Sequence, residues 1–298
     1  MVDMHIHTLY SDGDKTLEYV LKKCEEKKLE YISITDHNTC KQYKDKALSK
    51  KIFNGKIIKG AEMNATLYDG KRIEFLAYNI KKDEIIEEWS NKFYSYDILK
   101  EKFEKSKNKI IKICDENKLV YDLNNIRKDI PVTDFFVVYM YFELIKHQEN
   151  MSIMKEFKNS FNDFRRNGLN NPNSIFYMGE DDFPKPMFKD VANKIHEAGG
   201  LCFLAHPYEY KLENTIGFID YLRNEVKLDG VECFHPSAEV DNRINILLNY
   251  AKYNNLFVSG GSDFHGDKKP NNDIGIGSGS LKIPKEYIEK WAEPIKLL

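Results

Sequence analysis

The sequence lacks the features that are typical of secreted, membrane-spanning or nucleic-acid-binding proteins. It has only five cysteines, an odd number without any C-x-x-C pair, so a disulfide framework is not indicated. No uninterrupted apolar stretch is long enough to span a bilayer, and no leader with a charged and then an apolar region opens the chain. The formal net charge of -2 gives no basic bias toward duplex nucleic acid. We therefore expect a cytoplasmic protein with no membrane or duplex nucleic acid partner.

Arginine is also scarce, with six arginines among the 45 basic residues, so an arginine near an anion-binding site would be informative. Hydrophobic residues make up 42% of the chain and charged residues 31%, which is typical of a globular protein. A chain of 298 residues can bury a large core. That length fits one α/β barrel or two ordinary domains.

Short β-rich runs alternate with helical patterns along most of the chain. The predicted strands are residues 2–7, 31–35, 57–62, 73–80, 201–206, 230–234 and 256–260. The predicted helices between them include residues 16–28, 187–198, 216–224 and 240–253. Alternation of this kind predicts a parallel sheet with crossover connections. In a barrel built this way, functional groups lie at the C-terminal ends of the strands.

Residues 83–186 interrupt this alternation, because they are rich in lysine, asparagine and aromatic residues and contain no convincing strand. We predict a barrel domain from residues 1–82 and 187–298, and a mostly helical insertion at 83–186. The insertion is either a lid over the site or a spacer that only packs against the barrel. The sequence leaves these two alternatives open.

Two pairs of potential metal ligands are separated by about 260 residues. His5 and His7 alternate on a predicted strand, so both rings point to the same face and can bind one cation. Asp263 and His265 repeat this i, i+2 spacing near the end of the chain. An H-x-H pair alone is also common as a chance pair of surface histidines. Asp12 follows in a Ser-Asp-Gly sequence, and it is either a further ligand or, as its spacing favours, a turn residue.

Further ionisable residues follow other predicted strands, where they need a partner. His37 is a candidate ligand, and Asp36 either orients an imidazole or begins a helix, the orienting role being favoured. Glu62 ends its predicted strand, where its carboxylate either bridges two cations or is solvated. His206 ends the predicted strand at 201–206 and is a candidate ligand. His235 follows the next strand. It either contacts the substrate or has no contact with it, and the sequence favours neither alternative.

These residues lie in motifs that together resemble the PHP (polymerase and histidinol phosphatase) domain family. The motifs are His5-Ile6-His7-Thr8, Thr35-Asp36-His37-Asn38, Gly60-Ala61-Glu62, Ala205-His206-Pro207 and Gly261-Ser262-Asp263-Phe264-His265. They occur in the order of the family and cover nearly the whole chain outside the insertion. The sequence around residues 230–237 resembles the stand-alone bacterial branch of metal-dependent phosphoesterases within that family.

The resemblance implies a distorted seven-stranded (β/α) TIM-like barrel with two or three divalent metals, namely Mn, Fe or Zn. The ligand sets that it implies are His5, His7, Glu62 and Asp263 for one metal, Asp12, His37 and His265 for a second, and Glu62, His206 and one further residue for a third. In the family that further residue is a histidine, and Glu74 stands in its place here. Glu74 is either a ligand that shifts the preference toward harder cations such as Mn²⁺, or a solvent-facing residue beside an empty third site. The Arg-containing segment with which the branch often holds phosphate has no match around residues 131–134.

By the same resemblance, we expect hydrolysis of a phosphate monoester. The substrate would be a phosphorylated small molecule, a nucleotide, a nucleoside bisphosphate or a short nucleic acid end, attacked by a metal-bridging hydroxide. The sequence contains no motif for a serine or cysteine nucleophile. Two alternatives remain: a metal-dependent hydrolase of a C–N or C–O bond, and a non-catalytic binding module, whose signature would be lost ligands.

Overall fold

Eight β-strands form two sheets in the computed structural model, which describes residues 1–158, 160–179 and 182–295. The strands are β1 (Val2–Ile6), β2 (Tyr31–Ile34), β3 (Lys56–Ile57), β4 (Gly60–Thr66), β5 (Arg72–Tyr78), β6 (Leu201–Leu204), β7 (Gly230–Phe234) and β8 (Phe257–Gly260). Each predicted strand coincides with at least one of them. The predicted strand at 57–62 is divided into β3 and β4, because β3 pairs with β2 while β4 pairs with β5.

The two sheets differ in how their strands run. The first sheet has the order β1-β2-β3 and is parallel throughout. The second has the order β4-β5-β6-β7-β8, in which β5 is antiparallel to both of its neighbours and β6, β7 and β8 are parallel. The predicted α/β class is confirmed. Seven strands are not confirmed, and the described residues form no closed barrel, since their strands belong to two separate sheets.

The helices surround these strands or lie in the segment between β5 and β6. They are α1 (Leu17–Glu26), α2 (Asp83–Tyr94), α3 (Tyr96–Glu116), α4 (Phe136–Leu144), α5 (Met151–Met154), α6 (Phe161–Asp163), α7 (Phe188–Glu197), α8 (Thr215–Glu225), α9 (Arg243–Tyr253) and α10 (Lys285–Ile288). Helix α1 begins after Thr16, whose side chain accepts a hydrogen bond from the Tyr19 peptide N–H, as an N-cap residue does. Across the described ranges, every helix falls short of the length or the apolar character that crossing a bilayer requires.

The chain divides into two compact units, Met1–Asn91 with Lys185–Leu298, and Lys92–Pro184. In the first unit, strands β1, β2 and β7 are buried along their whole length. The second unit has its own aromatic core, in which the rings of Tyr141 and Phe164 stack with their centroids 5.2 Å apart. The hydroxyl of Tyr141 donates to the carbonyl of Phe157 there. Whether residues 83–186 act as a lid stays a prediction.

Two isolated β-bridges join the sheets where several strands end. Ile6 at the end of β1 bridges to Phe264 beyond β8, and His37 beyond β2 bridges to Glu62 in β4. Each bridge is parallel, so it continues the direction of the neighbouring strands. As a result, the polar residues that follow β1, β2 and β8 lie next to those within β4.

The contact between β1 and the segment after β8 is close because a glycine lies there. A Cβ atom on Gly261 would lie 2.3 Å from the backbone nitrogen of His5, so this position requires glycine. The peptide N–H of Asp263 then donates to the carbonyl of His5 over 2.9 Å. The N–H of His7 donates to the carbonyl of Phe264, also over 2.9 Å. This pairing sets Asp263 beside both histidines of β1.

Candidate metal centre

All the residues predicted from the sequence to bind metal come together where the two sheets meet. Within the described ranges they fall into four overlapping groups, in each of which one potential ligand atom per residue lies within 4.8 Å of the others. The groups are His5, His7 and Asp263; His7, Asp12, His37 and His265; His5, Glu62 and His206; and His37, Glu62 and Glu74. The groups share His5, His7, His37 and Glu62, so the predicted ligands form one continuous cluster.

The two histidines of the H-x-H motif point their Nε2 atoms at each other, 3.0 Å apart. A carboxylate oxygen of Glu62 lies 3.2 Å from each Nε2 atom. An oxygen of Asp263 lies 3.6 Å from His5 Nε2 and 3.5 Å from His7 Nε2. Ligands at about 2.0–2.2 Å from one cation lie about 3.3–3.6 Å apart in a tetrahedron. The observed separations of 3.0–3.6 Å include this range and extend slightly below it, so these four residues are candidate ligands of one divalent cation.

A second group lies on the other side of the His7 ring. His265 stacks on His7 with ring centroids 4.1 Å apart, and His37 lies 4.7 Å from His7 by the same measure. The carboxylate of Asp12 is 3.2 Å from His265 Nε2 and 3.7 Å from His37 Nε2. Asp12 is thus a turn residue, as its spacing favours, whose carboxylate nevertheless faces two imidazoles.

A third group connects His206 with two carboxylates. His206 Nε2 lies 2.8 Å from one oxygen of Glu62 and 3.2 Å from an oxygen of Glu74. The Nδ1 atom of His37 lies 3.4 Å from the other oxygen of Glu62 and 4.0 Å from Glu74. Glu74 is partly exposed, with 30% of its side-chain surface accessible, but it faces His206 rather than bulk solvent alone.

Glu62 occupies a different place in its strand from the one predicted. It is the third residue of β4 and not the end of a strand, because the chain continues in the β conformation to Thr66. One carboxylate oxygen faces His5, His7 and His37, and the other faces His206. A single buried carboxylate therefore contacts histidines from all four groups of residues, as a bridging ligand would.

The protonation of these groups reflects burial and mutual contact. Burial alone would lower the pKa of the His5 ring, but the charges of Glu62 and Glu232 outweigh it and raise that pKa well above its ordinary value. Burial lowers the pKa of His7 to about 3, which leaves its nitrogens neutral. Burial opposes ionisation of Glu62, yet His5 and His37 hold the pKa of this carboxyl well below its usual range. Ionised carboxylates and neutral imidazoles are the forms that bind metal, and a proton competes with a cation at His5.

Three buried imidazole nitrogens have no hydrogen-bond partner in the part of the chain that the structure describes. They are Nδ1 of His37, Nδ1 of His206 and Nε2 of His235. A buried polar atom without a partner is costly, and a cation at His37 would supply one. His235 Nε2 lies 3.5 Å from Asp263. The ring of His235 is only 2% exposed, so its predicted contact with substrate stays a prediction.

Asp36 was predicted to orient an imidazole, but its hydrogen bonds go to Thr8 and Ser11 and not directly to a histidine ring. One oxygen accepts from the Thr8 peptide N–H at 2.8 Å and from the Ser11 hydroxyl at 2.7 Å, and the other accepts from the Thr8 hydroxyl at 2.7 Å. Ser11 in turn lies 3.4 Å from His7 Nδ1. Within the described residues, Asp36 therefore reaches a histidine only through Ser11. It also fixes the turn that presents Asp12.

Sequence reasoning missed Glu232, a fully buried acid in the middle of β7. Its carboxylate lies 2.9 Å from Nδ1 of His5 and accepts from the His206 peptide N–H at 2.7 Å. It is ionised, because His5 and the other nearby charges outweigh the effect of burial and lower its pKa. An acid within an apolar strand needs a buried partner, and that signal was present in the sequence.

Sequence reasoning also missed Asp3 and Lys269. Asp3 is fully buried, and burial raises its pKa to about 6. Its carboxylate accepts from the Ser262 peptide N–H at 2.9 Å and from Gly275 at 2.7 Å, so it ties β1 to the segments that follow β8. The ammonium of Lys269 lies 2.5 Å from Asp263. No local pattern distinguishes Lys269 from the other lysines of the chain.

A cavity of about 250 Å³ opens beside the third group of ligands. Glu74, His206 and Asp263 line it, together with the two basic side chains of Arg72 and Lys269. The cavity therefore connects the potential metal ligands with solvent and gives a small molecule a place beside them.

Comparison with known proteins agrees with this arrangement. The sequence profile of the PHP domain matches residues 3–157, which is just over half of the chain and includes His5, His7, Asp12, His37, Glu62 and Glu74. No curated protein matches this sequence closely enough to be reported as a relative.

Two solved structures are similar in fold. One is a protein from Bifidobacterium adolescentis, described as a candidate metal-dependent phosphoesterase, with a TM-score of 0.63 and 19% identity over 97% of this chain and 94% of that one. The other is an amidohydrolase from Chromobacterium violaceum with bound SO4 and no metal, with a TM-score of 0.65 and 17% identity over 92% of this chain and 90% of that one. At these identities the likeness concerns the fold alone.

Proposed function

The chain belongs to the PHP domain family, and on that premise we propose that it is a metal-dependent phosphoesterase that hydrolyses a phosphate monoester. The observation that carries the proposal is the position of Glu62. Its two oxygens face His5, His7 and His37 on one side and His206 on the other, at 2.8–3.4 Å. A carboxylate between imidazole groups suits adjacent divalent cations, which phosphate ester hydrolysis uses.

Three ligand sets follow from the groups of residues. We propose that the first metal takes His5, His7, Glu62 and Asp263, the second Asp12, His37 and His265, and the third Glu62, His206 and Glu74. Imidazole with carboxylate suits Mn²⁺, Fe²⁺ or Zn²⁺. Cations held there would supply the Lewis acidity that the reaction requires.

The other residues of the chain hold this arrangement in place. Asp36 fixes the turn that carries Asp12, and Glu232 accepts the proton of His5 Nδ1, which leaves Nε2 free to bind. All five cysteines are buried and free, and burial raises the pKa of each thiol, so none is suited to act as a thiolate nucleophile. A covalent cysteinyl intermediate is therefore disfavoured, and we propose direct hydrolysis by water.

We propose also that the two sheets together correspond to a distorted barrel. The bridges Ile6–Phe264 and His37–Glu62 support this, because they link the first sheet to both ends of the second in strand order. In that arrangement the candidate metal centre lies at the C-terminal ends of β1, β2 and β8, where such barrels place their active sites.

Hydrolysis of a C–N bond is the second candidate function, because the similar structure from Chromobacterium violaceum is an amidohydrolase. The same centre of imidazoles and carboxylates would serve either reaction. The two candidates differ in the charge of the group that is cleaved, since a phosphate monoester is an anion and an amide is neutral.

A substrate panel tests the proposal. Protein with added Mn²⁺ is assayed for phosphate release from p-nitrophenyl phosphate, mononucleotides and short oligonucleotides, and for amine or acid release from N-acyl amino acids and p-nitrophenyl acetate. We expect phosphate release that a chelator abolishes and Asp263→Asn nearly abolishes. Asp267→Asn is the matched control, because Asp267 is exposed and lies four residues further on. Amine release without phosphate release would show that the protein is an amidohydrolase and not a phosphoesterase.

A further inference from the structure

Arg72 differs from Arg127, Arg223 and Arg243 in having no anionic partner among the residues that the structure describes. Arg127 pairs with Asp129 at 2.9 Å, and Arg223 and Arg243 each lie 3.5 Å from an aspartate. In the described ranges, the guanidinium of Arg72 forms no ion pair and no hydrogen bond. Yet Arg72 lines the cavity beside the candidate metal centre. A guanidinium that is unpaired inside a cavity is available to bind an anionic ligand.

The position of Arg72 on its strand directs it toward this centre. Arg72 begins β5, and Glu74 lies two residues further along the same strand. Side chains two residues apart point to the same face of a strand. Glu74 extends to within 3.2 Å of His206, so Arg72 projects from the face that carries a candidate metal ligand.

Lys269 brings a second positive charge to the same cavity from another part of the chain. Its ammonium lies 2.5 Å from Asp263, and 46% of its side-chain surface is exposed. An ammonium has three donors, and Asp263 uses one of them, so Lys269 can donate to a ligand while it holds Asp263.

The charges of the cavity wall define the ligand that fits. Glu74, Glu209 and Asp263 also line the cavity, and metal cations bound by Glu74 and Asp263 would offset their negative charge. A neutral molecule carries no charge with which to pair Arg72 and Lys269. A phosphate dianion offers oxygens to both cations, and a guanidinium binds it through two parallel hydrogen bonds. On the basis of the proposed function, we propose that Arg72 and Lys269 bind the phosphate group of the substrate and make the site selective for phosphomonoesters over neutral esters and amides. The barrel strand β5 and the segment after β8 then provide the phosphate-binding residues, instead of residues 131–134.

Binding of inorganic phosphate to the Mn²⁺-loaded protein tests this without any need for turnover. Isothermal calorimetry is used to compare wild type with Arg72→Met and Lys269→Met, which keep the aliphatic part of each side chain. Lys71→Met and Lys268→Met are matched controls, since both are exposed neighbours. We expect the Kd for phosphate to rise about tenfold or more in the two test variants, as loss of a charged hydrogen bond predicts, and to stay within about twofold in the controls. Arg72→Lys, which keeps the charge but loses the planar donor pair, should show a smaller rise.

The kinetic readout then separates the two proposals. With p-nitrophenyl phosphate, Arg72→Met should raise KM more than it lowers kcat, because Arg72 binds the substrate and holds no metal. If Arg72→Met binds phosphate as tightly as wild type while Asp263→Asn loses phosphatase activity, the phosphate-binding role is wrong and the phosphoesterase stands. If wild type releases no phosphate from any ester but Arg72→Met still weakens phosphate binding, the anion site stands and the phosphoesterase is wrong.

Discussion

The carboxylate of Glu232 lies 2.9 Å from Nδ1 of His5. A carboxylate can only accept, so the Nδ1 proton of His5 is donated to it, and this contact turns Nε2 of the ring toward His7. The second oxygen of Glu232 accepts from the peptide N–H of His206 at 2.7 Å. His206 has a φ of +24°, a backbone conformation that residues other than glycine rarely adopt. One carboxylate thus orients a ring of the first candidate site and stabilises a strained residue of the third.

Glu232→Gln should therefore weaken metal binding at two sites at once. Its amide NH₂ group can only donate, so at least one of its two contacts is lost or repelled while the volume of the side chain is kept. We expect the affinity for Mn²⁺ to fall by about 10–100-fold, the usual effect of losing such a partner. Calorimetric titration of metal-free protein measures this, with the exposed Glu213→Gln as control. Unchanged affinity in Glu232→Gln would mean that the contact is only structural.

The purified protein should contain at least two divalent metals per chain. Four overlapping groups of ligand atoms within 4.8 Å support this number. Metal binding also stabilises the folded state, by about 2.7 kcal/mol when the free metal exceeds its Kd 100-fold. Elemental analysis after purification without a chelator counts the metals, and thermal unfolding with and without Mn²⁺ measures the stabilisation. Asp263→Ala should lose metal and stabilisation together. Fewer than one metal per chain, with no gain on reconstitution, contradicts the prediction.

The candidate ligands could be predicted because their signals are local. His5 and His7 alternate on a strand, His206 directly follows a hydrophobic run, and His37 lies three residues beyond another one, so the sequence alone places them at strand ends. The strand at β5 was predicted, but its antiparallel direction was not, because that direction depends on pairing with β4 and β6 and not on a local pattern.

Glu232 and Lys269, which contact the candidate ligands, were not predicted because their roles depend on tertiary contacts and not on a local sequence pattern. The contact of Glu232 with His5 joins residues 227 positions apart. The contact of Lys269 with Asp263 is close in sequence, but it depends on how the segment after β8 folds back. Hydrophobic periodicity describes which face of an element is buried, and it does not describe which polar groups meet there.

The stability of the chain should depend on Glu143 at acidic pH. Burial opposes its ionisation, but hydrogen bonds from Asn125, His147 and Lys146 outweigh this and lower its pKa to about 2. A carboxyl whose pKa is lower in the folded state stabilises the fold above its unfolded pKa, near 4.5, and this contribution disappears as the pH falls toward 2. We expect Glu143→Gln to lower the free energy of unfolding by about 1–3 kcal/mol at pH 7, and by progressively less below pH 4.5.

Urea unfolding of the full chain at pH 7, 4 and 3 measures this dependence. Glu149→Gln is the control, because Glu149 is exposed and lies six residues away. If the free energy of unfolding differs between wild type and Glu143→Gln by the same amount at pH 7 and pH 3, ionisation of Glu143 does not stabilise the fold.

Glu74 should decide which metal the third site prefers. It lies 3.2 Å from His206 and 4.0 Å from His37, and its same-face neighbour Leu76 is fully buried. A carboxylate at this position adds negative charge and favours harder cations such as Mn²⁺, whereas an imidazole favours Zn²⁺. Glu74→His should therefore keep activity while the preferred metal moves from Mn²⁺ toward Zn²⁺. Glu74→Gln keeps the size without the charge and should lose affinity for the third metal.

Competition titrations of Mn²⁺ against Zn²⁺ measure this preference, and elemental analysis gives the number of metals in each variant. Glu209→Gln is the matched control, because Glu209 lines the same cavity but belongs to none of the ligand groups. If Glu74→His and Glu74→Gln both bind the same metals in the same number as wild type, Glu74 is not a ligand. In that case its contact with His206 is an ordinary ion pair at the edge of the metal centre.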